Sequence, residues 1–432
     1  MFMSDLKNII ILRKIKSLFK IIFYEFFTVF ILLARLILFL LQPIILVRFG
    51  FIQSTRIGGM SRWFDRMYNL EKIRKDNKGF YFFFHENQIC NFFLKNLFEK
   101  ELKKLKSKVF FFNESLFSKL LAHSYSRYKF GKSFSFEFET DNTSNELLYL
   151  MTGKVINFEL NLEEEKKGQK FIEKLNISKD KKWICIHNRD SYYLDKLKKH
   201  DDFKHHRGFK YHSYRDFDVN NLSGAVNLFN NRGYHVFRMG NIQAKKMNYH
   251  NPNFIDYPFI ENKSDFNDIF LLSNCSAYLG SDAGIGDIPL IFGKPRYLIN
   301  FSLSIIHLFH QDGDPASYKN NYSFIFKHFF DRKKQRKLSL KEMFKSNLFK
   351  ADRSEIFEKA GIDLIENTFE EIVDIANETL ENLNKKKENI NDYNQQKKFW
   401  DIYYDNTNFK RYEDIPVKIC SKFLLNNPYI LE

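Results

Sequence analysis

A chain of 432 residues is long enough for two or three domains. Its composition, 44% hydrophobic and 28% charged, excludes a disordered, collagen-like or polytopic membrane protein. The formal net charge of +16 points to an anionic partner: nucleic acid, phospholipid or a phosphorylated substrate. Fifty Phe also stand out. Phe, Lys, Asn and Ile share AT-rich codons, so base composition competes with function as the source of both excesses. The four Cys (Cys90, Cys185, Cys275 and Cys420) form no CxxC pair and no Cys/His cluster. That argues against structural zinc, and scattered thiols suit a reducing compartment.

Residues 9–20 mix Ile and Leu with Arg13, Lys14, Lys16 and Lys20; residues 21–41 are then almost wholly apolar, broken by Glu25 and Arg35 before Pro43. The run is too long for a cleavable signal, and no small-residue cleavage site follows. Its sixteen Ile, Leu, Val and Phe favour insertion by about 7 kcal/mol, and two central charges oppose it by up to about 6 kcal/mol. A spanning helix with a basic cluster ahead of it would send everything downstream across the membrane. A helix lying in the interface keeps both flanks on one side. Residues 1–42 are therefore expected to form an N-terminal hydrophobic helix on an anionic membrane surface. Residues 1–60 hold eight Lys or Arg against two Asp or Glu, which fits such a surface better than nucleic acid. Most of the Phe beyond this region are expected to be core.

Downstream, apolar runs alternate with helical patterns. Strands are predicted at 43–49, 80–84 and 108–112, with a helix at 91–106 between the last two and a glycine-containing loop at 50–59. Residues 116–175 read as helical. A polar stretch and the Ser178 turn set a boundary there, giving a first domain at 43–178. In the second domain, 179–388, strands 182–186, 234–238, 253–256, 276–280 and 294–300 alternate with helices 220–232, 264–274 and 287–292. The fold class is thus α/β, with two Rossmann-like doubly wound domains facing a cleft. Residues 327–350 are strongly basic, 368–386 form an amphipathic helix, and 389–432 are expected to pack back on the first domain.

In parallel sheets, ligands bind at the carboxyl ends of strands. His187-Asn188-Arg189-Asp190 follows one strand directly, offering an imidazole and a planar guanidinium. Arg238-Met239-Gly240 follows another. Ser281-Asp282-Ala283-Gly284 is a small-residue turn that aims backbone N–H groups and a helix N-terminus at an anion. Tyr211-His212-Ser213-Tyr214-Arg215-Asp216-Phe217-Asp218 could line a sugar-sized site. Asp216-Phe-Asp218 and Asp312-Gly-Asp314 also suggest a metal, but Asp216 and Asp218 precede a helix and can cap it, and no metal site is assigned. Arg56 with Gly58 and Gly59 forms a weaker cluster in the first domain. No nucleic-acid module is visible.

These residues, in this order, resemble a bacterial glycosyltransferase family of surface-polysaccharide (O-antigen and capsule) gene clusters. The shared motifs are Val47-Arg-Phe-Gly50, Arg56-Ile-Gly-Gly59, Ile184-Cys-Ile-His187-Asn-Arg-Asp190, Tyr211-His-Ser-Tyr-Arg-Asp216, Phe237-Arg-Met-Gly240, Phe254-Ile-Asp-Tyr257 and the 280–300 turn, helix and strand. Gly59 stands where that family carries His. A looser similarity is to heptosyltransferase-like enzymes of the GT-B fold, in which a Ser-Asp-small-Gly turn and a Gly-Lys-Pro strand bind the donor; Ser281–Gly284 and Gly293-Lys294-Pro295 match that layout. The resemblance implies a GT-B-like glycosyltransferase, independent of metal, with a nucleotide sugar as co-substrate and no other cofactor. It implies donor contacts by Asn188, Arg189, Arg238, Gly240, Ser281, Asp282, Ala283 and Gly284. Acceptor-side residues would be Arg56, Gly58, Gly59, His212 and Arg215, and the base one of His187, Asp190 or Asp216. The acceptor would be a lipid-linked glycan at the cytoplasmic face of the inner membrane, reached by a peripheral or monotopic protein. The alternative is a catalytically inactive glycan- or nucleotide-binding protein of the same fold.

Overall fold

The computed structural model describes residues 2–41, 43–73, 79–105, 107–127, 158–193, 210–303, 321–346, 348–384, 390–407 and 417–432. Asp312, Asp314, His205 and His206 lie outside them. The chain divides into two compact units, Met1–Thr143 and Ser144–Glu432.

The first unit contains α1 (Phe2–Leu41), β1 (Leu46–Ile52), α2 (Ile57–Ile73), β2 (Gly79–His85), α3 (Phe92–Lys103), β3 (Lys108–Asn113) and α4 (Leu116–Arg127). Its parallel sheet has the order β1-β2-β3. Among the described residues that order never reverses, so no topological switch point is seen in this sheet. Strand alternation sorts the aromatic rings by face. On one face Trp63 of α2 meets Phe83 at 4.6 Å between ring centroids, and Phe64 stacks on Phe98 of α3 at 4.3 Å. On the other, Phe82 stacks on Phe110 at 5.2 Å and Phe51 on Phe84 at 5.8 Å.

α1 and α4 attend this second face. Tyr24, Ile31 and Leu38 of α1 pack with Leu120, Leu121 and Phe84. With the buried Thr28 and Arg35 they form one stripe at helical spacing. Arg35 is held by polar partners on α4: Nη1 donates to Ser124 O (3.0 Å) and Ser124 Oγ (2.7 Å), and the guanidinium sits 4.0 Å over the Tyr125 ring. Glu25 Oε1 lies 3.3 Å from His123 Nε2. Both charges that interrupt the apolar run thus face protein. Elsewhere around the helix Phe19, Ile22, Phe26, Phe30, Leu33, Ile37 and Leu40 are 55–69% exposed. Residues Ile21–Leu41, with mean hydropathy 2.2, are long and apolar enough to cross a membrane.

The second unit holds α5 (Leu162–Lys174), β4 (Trp183–His187), α6 (Ser223–Asn231), β5 (His235–Arg238), β6 (Phe254–Asp256), α7 (Asp265–Asn274), β7 (Ala277–Gly280), α8 (Asp287–Ile291), β8 (Arg296–Phe301) and β9 (Asn321–Phe326). After β9 come β10 (His328–Asp331), β11 (Arg336–Lys337), β12 (Ile362–Ile365), α9 (Phe369–Leu383), α10 (Ile390–Asp405) and β13 (Lys418–Ile419). The large sheet has the order β13-β9-β8-β7-β4-β5-β6, and its pairs are parallel. From β4 the chain fills one side with β5 and β6, then crosses to β7 on the other side. This reversal is a topological switch point. β4 and β7 are buried along their whole length, as central parallel strands covered on both faces must be.

Two boundaries differ from the sequence reading. The first unit ends before α5, not at 178, because α5 packs in the second: Phe171 meets Tyr257 edge-on and Asn274 Nδ2 donates to Glu165 Oε1 (3.2 Å). The C-terminal residues, expected on the first domain, build into the second unit. β13 extends the large sheet beside β9, and Trp400 Nε1 donates to Val417 O (3.0 Å). A buried polar network seals the end. His328 Nδ1 lies 2.6 Å from Tyr429 Oη and its Nε2 lies 3.0 Å from Glu371 Oε1, which also accepts from Asn427 Nδ2 (2.9 Å). β10, β11 and β12 form a separate antiparallel sheet in the basic stretch.

Candidate functional site

The switch point lies where β4 and β7 end side by side, with His187 in register with Gly280. A Cβ on Gly280 would lie 2.5 Å from the His187 carbonyl oxygen, so only glycine allows the two strands to end this close. The two following loops then touch: Ser281 N donates to His187 O (3.1 Å), and His187 Nδ1 lies 3.2 Å from Ser281 Oγ. Burial, then the charges of Arg238 and Arg189, push the His187 imidazole down to about 3. His187 is therefore neutral near pH 7 and a weak base there.

Beside this pair two arginines meet two carboxylates, and a lysine meets a main-chain carbonyl. Arg189 Nη1 donates to His212 O (3.0 Å) and pairs with Asp216 Oδ1. Arg215 Nε donates to Asp282 Oδ1 (3.1 Å), and its Nη2 reaches the Asp282 carbonyl. Lys327, 4% exposed at the carboxyl end of β9, donates from Nζ to Asp216 O (2.5 Å). Burial lowers the Lys327 pKa, and Glu366, Asp216 and Asp282 oppose that shift. Asp282 is 7% exposed, and its Oδ2 is buried with no hydrogen bond among the described residues. A buried carboxylate oxygen without a donor is costly. A ligand hydroxyl would satisfy it.

The Asp216 side chain is 23% exposed beside Arg189. Burial raises its pKa to about 6, although Arg189 pulls the other way. Asp190, by contrast, is occupied in joining two loops: its oxygens accept from Tyr192 N (3.2 Å) and Ala244 N (3.0 Å). Asp218 caps the turn that follows it, accepting from Asn220 N (2.9 Å), as the capping alternative anticipates.

Arg238 ends β5 with its side chain wholly buried. Its guanidinium donates to Asn188 Oδ1 (3.0 Å), Lys245 O (2.8 Å), Asp256 Oδ1 (2.9 Å) and Gln243 Oε1 (3.0 Å). It therefore braces the loops after β4, β5 and β6, and Asn188 is one of its supports. Gly240 has φ +148°, and a Cβ there would meet Gln243, so it serves the turn that returns Gln243 to Arg238. The turn after β7 is also tighter than the sequence suggests. Ala283 precedes a 3₁₀ turn (Gly284–Gly286), and α8 has only five residues, so little helix dipole points at the site.

Of the residues assigned to the acceptor side, His212 and Arg215 belong to the second unit and touch Arg189 and Asp282. Arg56, Gly58 and Gly59 lie in the first unit at the start of α2. There Thr55 Oγ1 donates to Glu86 Oε2 (2.6 Å), joining the loops after β1 and β2. Lys327, Asp256 and Gln243 were not singled out from sequence. The strand-end rule applies to Lys327, which directly follows Phe324-Ile325-Phe326, but it is hidden at the head of a basic run.

No protein-family model and no curated protein matches the chain. The solved structures similar to it include the following three. The E. coli ADP-heptose LPS heptosyltransferase II is 9% identical, with a TM-score of 0.38 over 65% of this chain and 90% of that one. The glycosyl transferase family 9 protein from Veillonella parvula is 9% identical, with a TM-score of 0.39 over 77% and 97%. The E. coli heptosyltransferase WaaC with ADP is 7% identical, with a TM-score of 0.28 over 59% and 87%. At these identities and TM-scores none of the three assigns a substrate or a residue role to this chain.

Proposed function

We propose that this chain is a glycosyltransferase that moves a sugar from a nucleotide-activated donor to a lipid-linked acceptor of surface-polysaccharide synthesis. The observation that carries the reading is the group of Arg189, Arg215 and Lys327 held on Asp216 and Asp282 at the switch point, with Asp282 Oδ2 left without a donor. Phosphate charge suits the three cations, and a sugar or ribose hydroxyl suits Asp282. In the transfer, the bond between the sugar's anomeric carbon and the diphosphate oxygen breaks. The nucleoside diphosphate leaves with the electron pair, stabilised by the cations. The acceptor oxygen bonds to the anomeric carbon, and its proton passes to a base, for which Asp216 has the suitable pKa.

Below about pH 6, kcat/KM should fall tenfold per pH unit as Asp216 protonates. The profile for Asp216→Asn should be far lower and lack that limb; an unchanged limb would remove Asp216 from the role. The whole reading is tested by screening nucleotides and nucleotide sugars for thermal stabilisation and then for turnover. A nucleotide sugar that stabilises the protein but is never consumed favours the non-catalytic alternative.

The docking of α1 along the first unit favours an in-plane anchor at the cytoplasmic face of the inner membrane. A spanning α1 would carry Arg35, Glu25 and their α4 partners into hydrocarbon, at several kcal/mol for each charge. Phe26→Asp with Phe30→Asp, both on exposed positions, should move the protein from the membrane to the soluble fraction with an unchanged melting temperature. Retention at the membrane would assign anchoring to another surface. Deleting residues 1–42 is a poorer test, because it also uncovers Phe84, Leu120 and Leu121.

A further inference from the structure

The first unit contains a cavity of about 630 Å³ on the sheet face that α1 and α4 attend. This lies within the usual size range of ligand pockets, about 300–1,000 Å³. Its floor is Phe49, Phe82 and Phe84, and Leu38 of α1 forms a wall. Phe112 and Phe117, 46% and 53% exposed, also line it. These two rings stand outside the majority of Phe that form core. The polar lining consists of Asn113 and Ser115, at the carboxyl end of β3.

We infer that this cavity receives one hydrocarbon chain of the lipid-linked acceptor, with the polar head held at Asn113 and Ser115. Three observations select this occupant. Walls of hydrocarbon and aromatic carbon offer water few partners, whereas an apolar chain buried there is released from water. The cavity adjoins the exposed apolar face of α1, since Leu38 lines it while Ile37 and Leu40, on either side of Leu38 in α1, are 58% and 67% exposed. Its polar end coincides with the carboxyl edge of a parallel sheet, where the polar parts of ligands bind. An amphiphile entering from the bilayer would thus lie with its chain along the Phe ladder and its head at the edge that carries loop chemistry. The inference rests on the transferase reading for the identity of the lipid as acceptor.

The test uses the full chain on vesicles of phosphatidylethanolamine and phosphatidylglycerol. One set contains a diazirine-bearing long-chain prenyl phosphate, and a second a diazirine-bearing phosphatidylglycerol. After photolysis, labelled peptides are mapped. The prenyl phosphate should label residues 82–84 and 112–117, and the phosphatidylglycerol should label the exposed face of α1. Phe117→Asp, at an exposed position, should cut cavity labelling by about tenfold through the cost of setting a carboxylate in an apolar lining. Labelling of α1 should stay unchanged. Absence of cavity labelling, equal labelling by both probes, or labelling indifferent to Phe117→Asp would overturn the inference. Labelling needs no sugar transfer, so the two readings fail separately. A chain that is labelled but turns over no nucleotide sugar loses the transferase reading, and one that transfers sugar without cavity labelling loses this one.

Discussion

Arg238→Ala should lower the stability of the second unit by about 3–5 kcal/mol, the range for removing one partner of a buried ion pair. The side chain is fully buried, and its loss strands Asp256 Oδ1, Gln243 Oε1 and Asn188 Oδ1 together. Asp256 would keep Met247 N as a donor to Oδ2 (2.9 Å). Arg238→Lys should recover only part of the loss, because one ammonium cannot reach acceptors fanned across three loops. Urea unfolding at pH 7 checks this through the midpoint. The expected result is a clear midpoint shift, with nucleotide binding weakened only as far as the folded population falls. A variant that unfolds like the parent yet no longer binds nucleotide would return Arg238 to direct ligand contact.

Arg189→Ala should act on the reaction instead. Removing a preorganised donor to a developing negative charge costs about 10²–10³ in kcat, or roughly 2.7–4 kcal/mol. Arg189 supplies a guanidinium that is 9% exposed in its side chain, beside an Asp216 side chain that is 23% exposed, so the pair lies at the edge of solvent where a phosphate can enter. The same substitution removes the charge that holds the Asp216 carboxyl down. The acid limb of the pH profile should therefore move above about 6, a shift that a merely misfolded variant would not show. Full activity in Arg189→Ala would end the leaving-group assignment.

Much of the second unit was legible because buried parallel strands are unbroken apolar runs followed at once by polar residues. Trp183-Ile-Cys-Ile-His187 and Ala277-Tyr-Leu-Gly280 fit that description, and their loops do meet at the switch point. What the sequence withheld was the pairing. Arg189 and Arg238 look equivalent as strand-end arginines, and only the fold reveals that Asp256, at the end of the neighbouring strand, consumes the second. His212 and Arg215 sit on a 3₁₀ segment (Lys210–Arg215) that returns to the turn after β7 through contacts distant in sequence, which no local pattern announces. The C-terminal strand escaped notice because two residues, Lys418–Ile419, carry no periodicity. In α1 the docked stripe is camouflaged by hydrocarbon all round, and Glu25 and Arg35 are what mark it.

That stripe makes the anchor part of the first unit instead of a tether to it. A helix on a flexible linker would let its cargo tumble above the membrane and sample all orientations. Here Arg35 with Tyr24, Ile31 and Leu38 fastens the helix along the sheet. On the in-plane anchoring proposed above, the first unit would translate and spin about the membrane normal but would not tilt freely. The carboxyl edge of its sheet then keeps one height above the lipid headgroups. Encounter with a membrane-bound molecule becomes a search in a plane at fixed orientation, which raises effective concentration without any added contact.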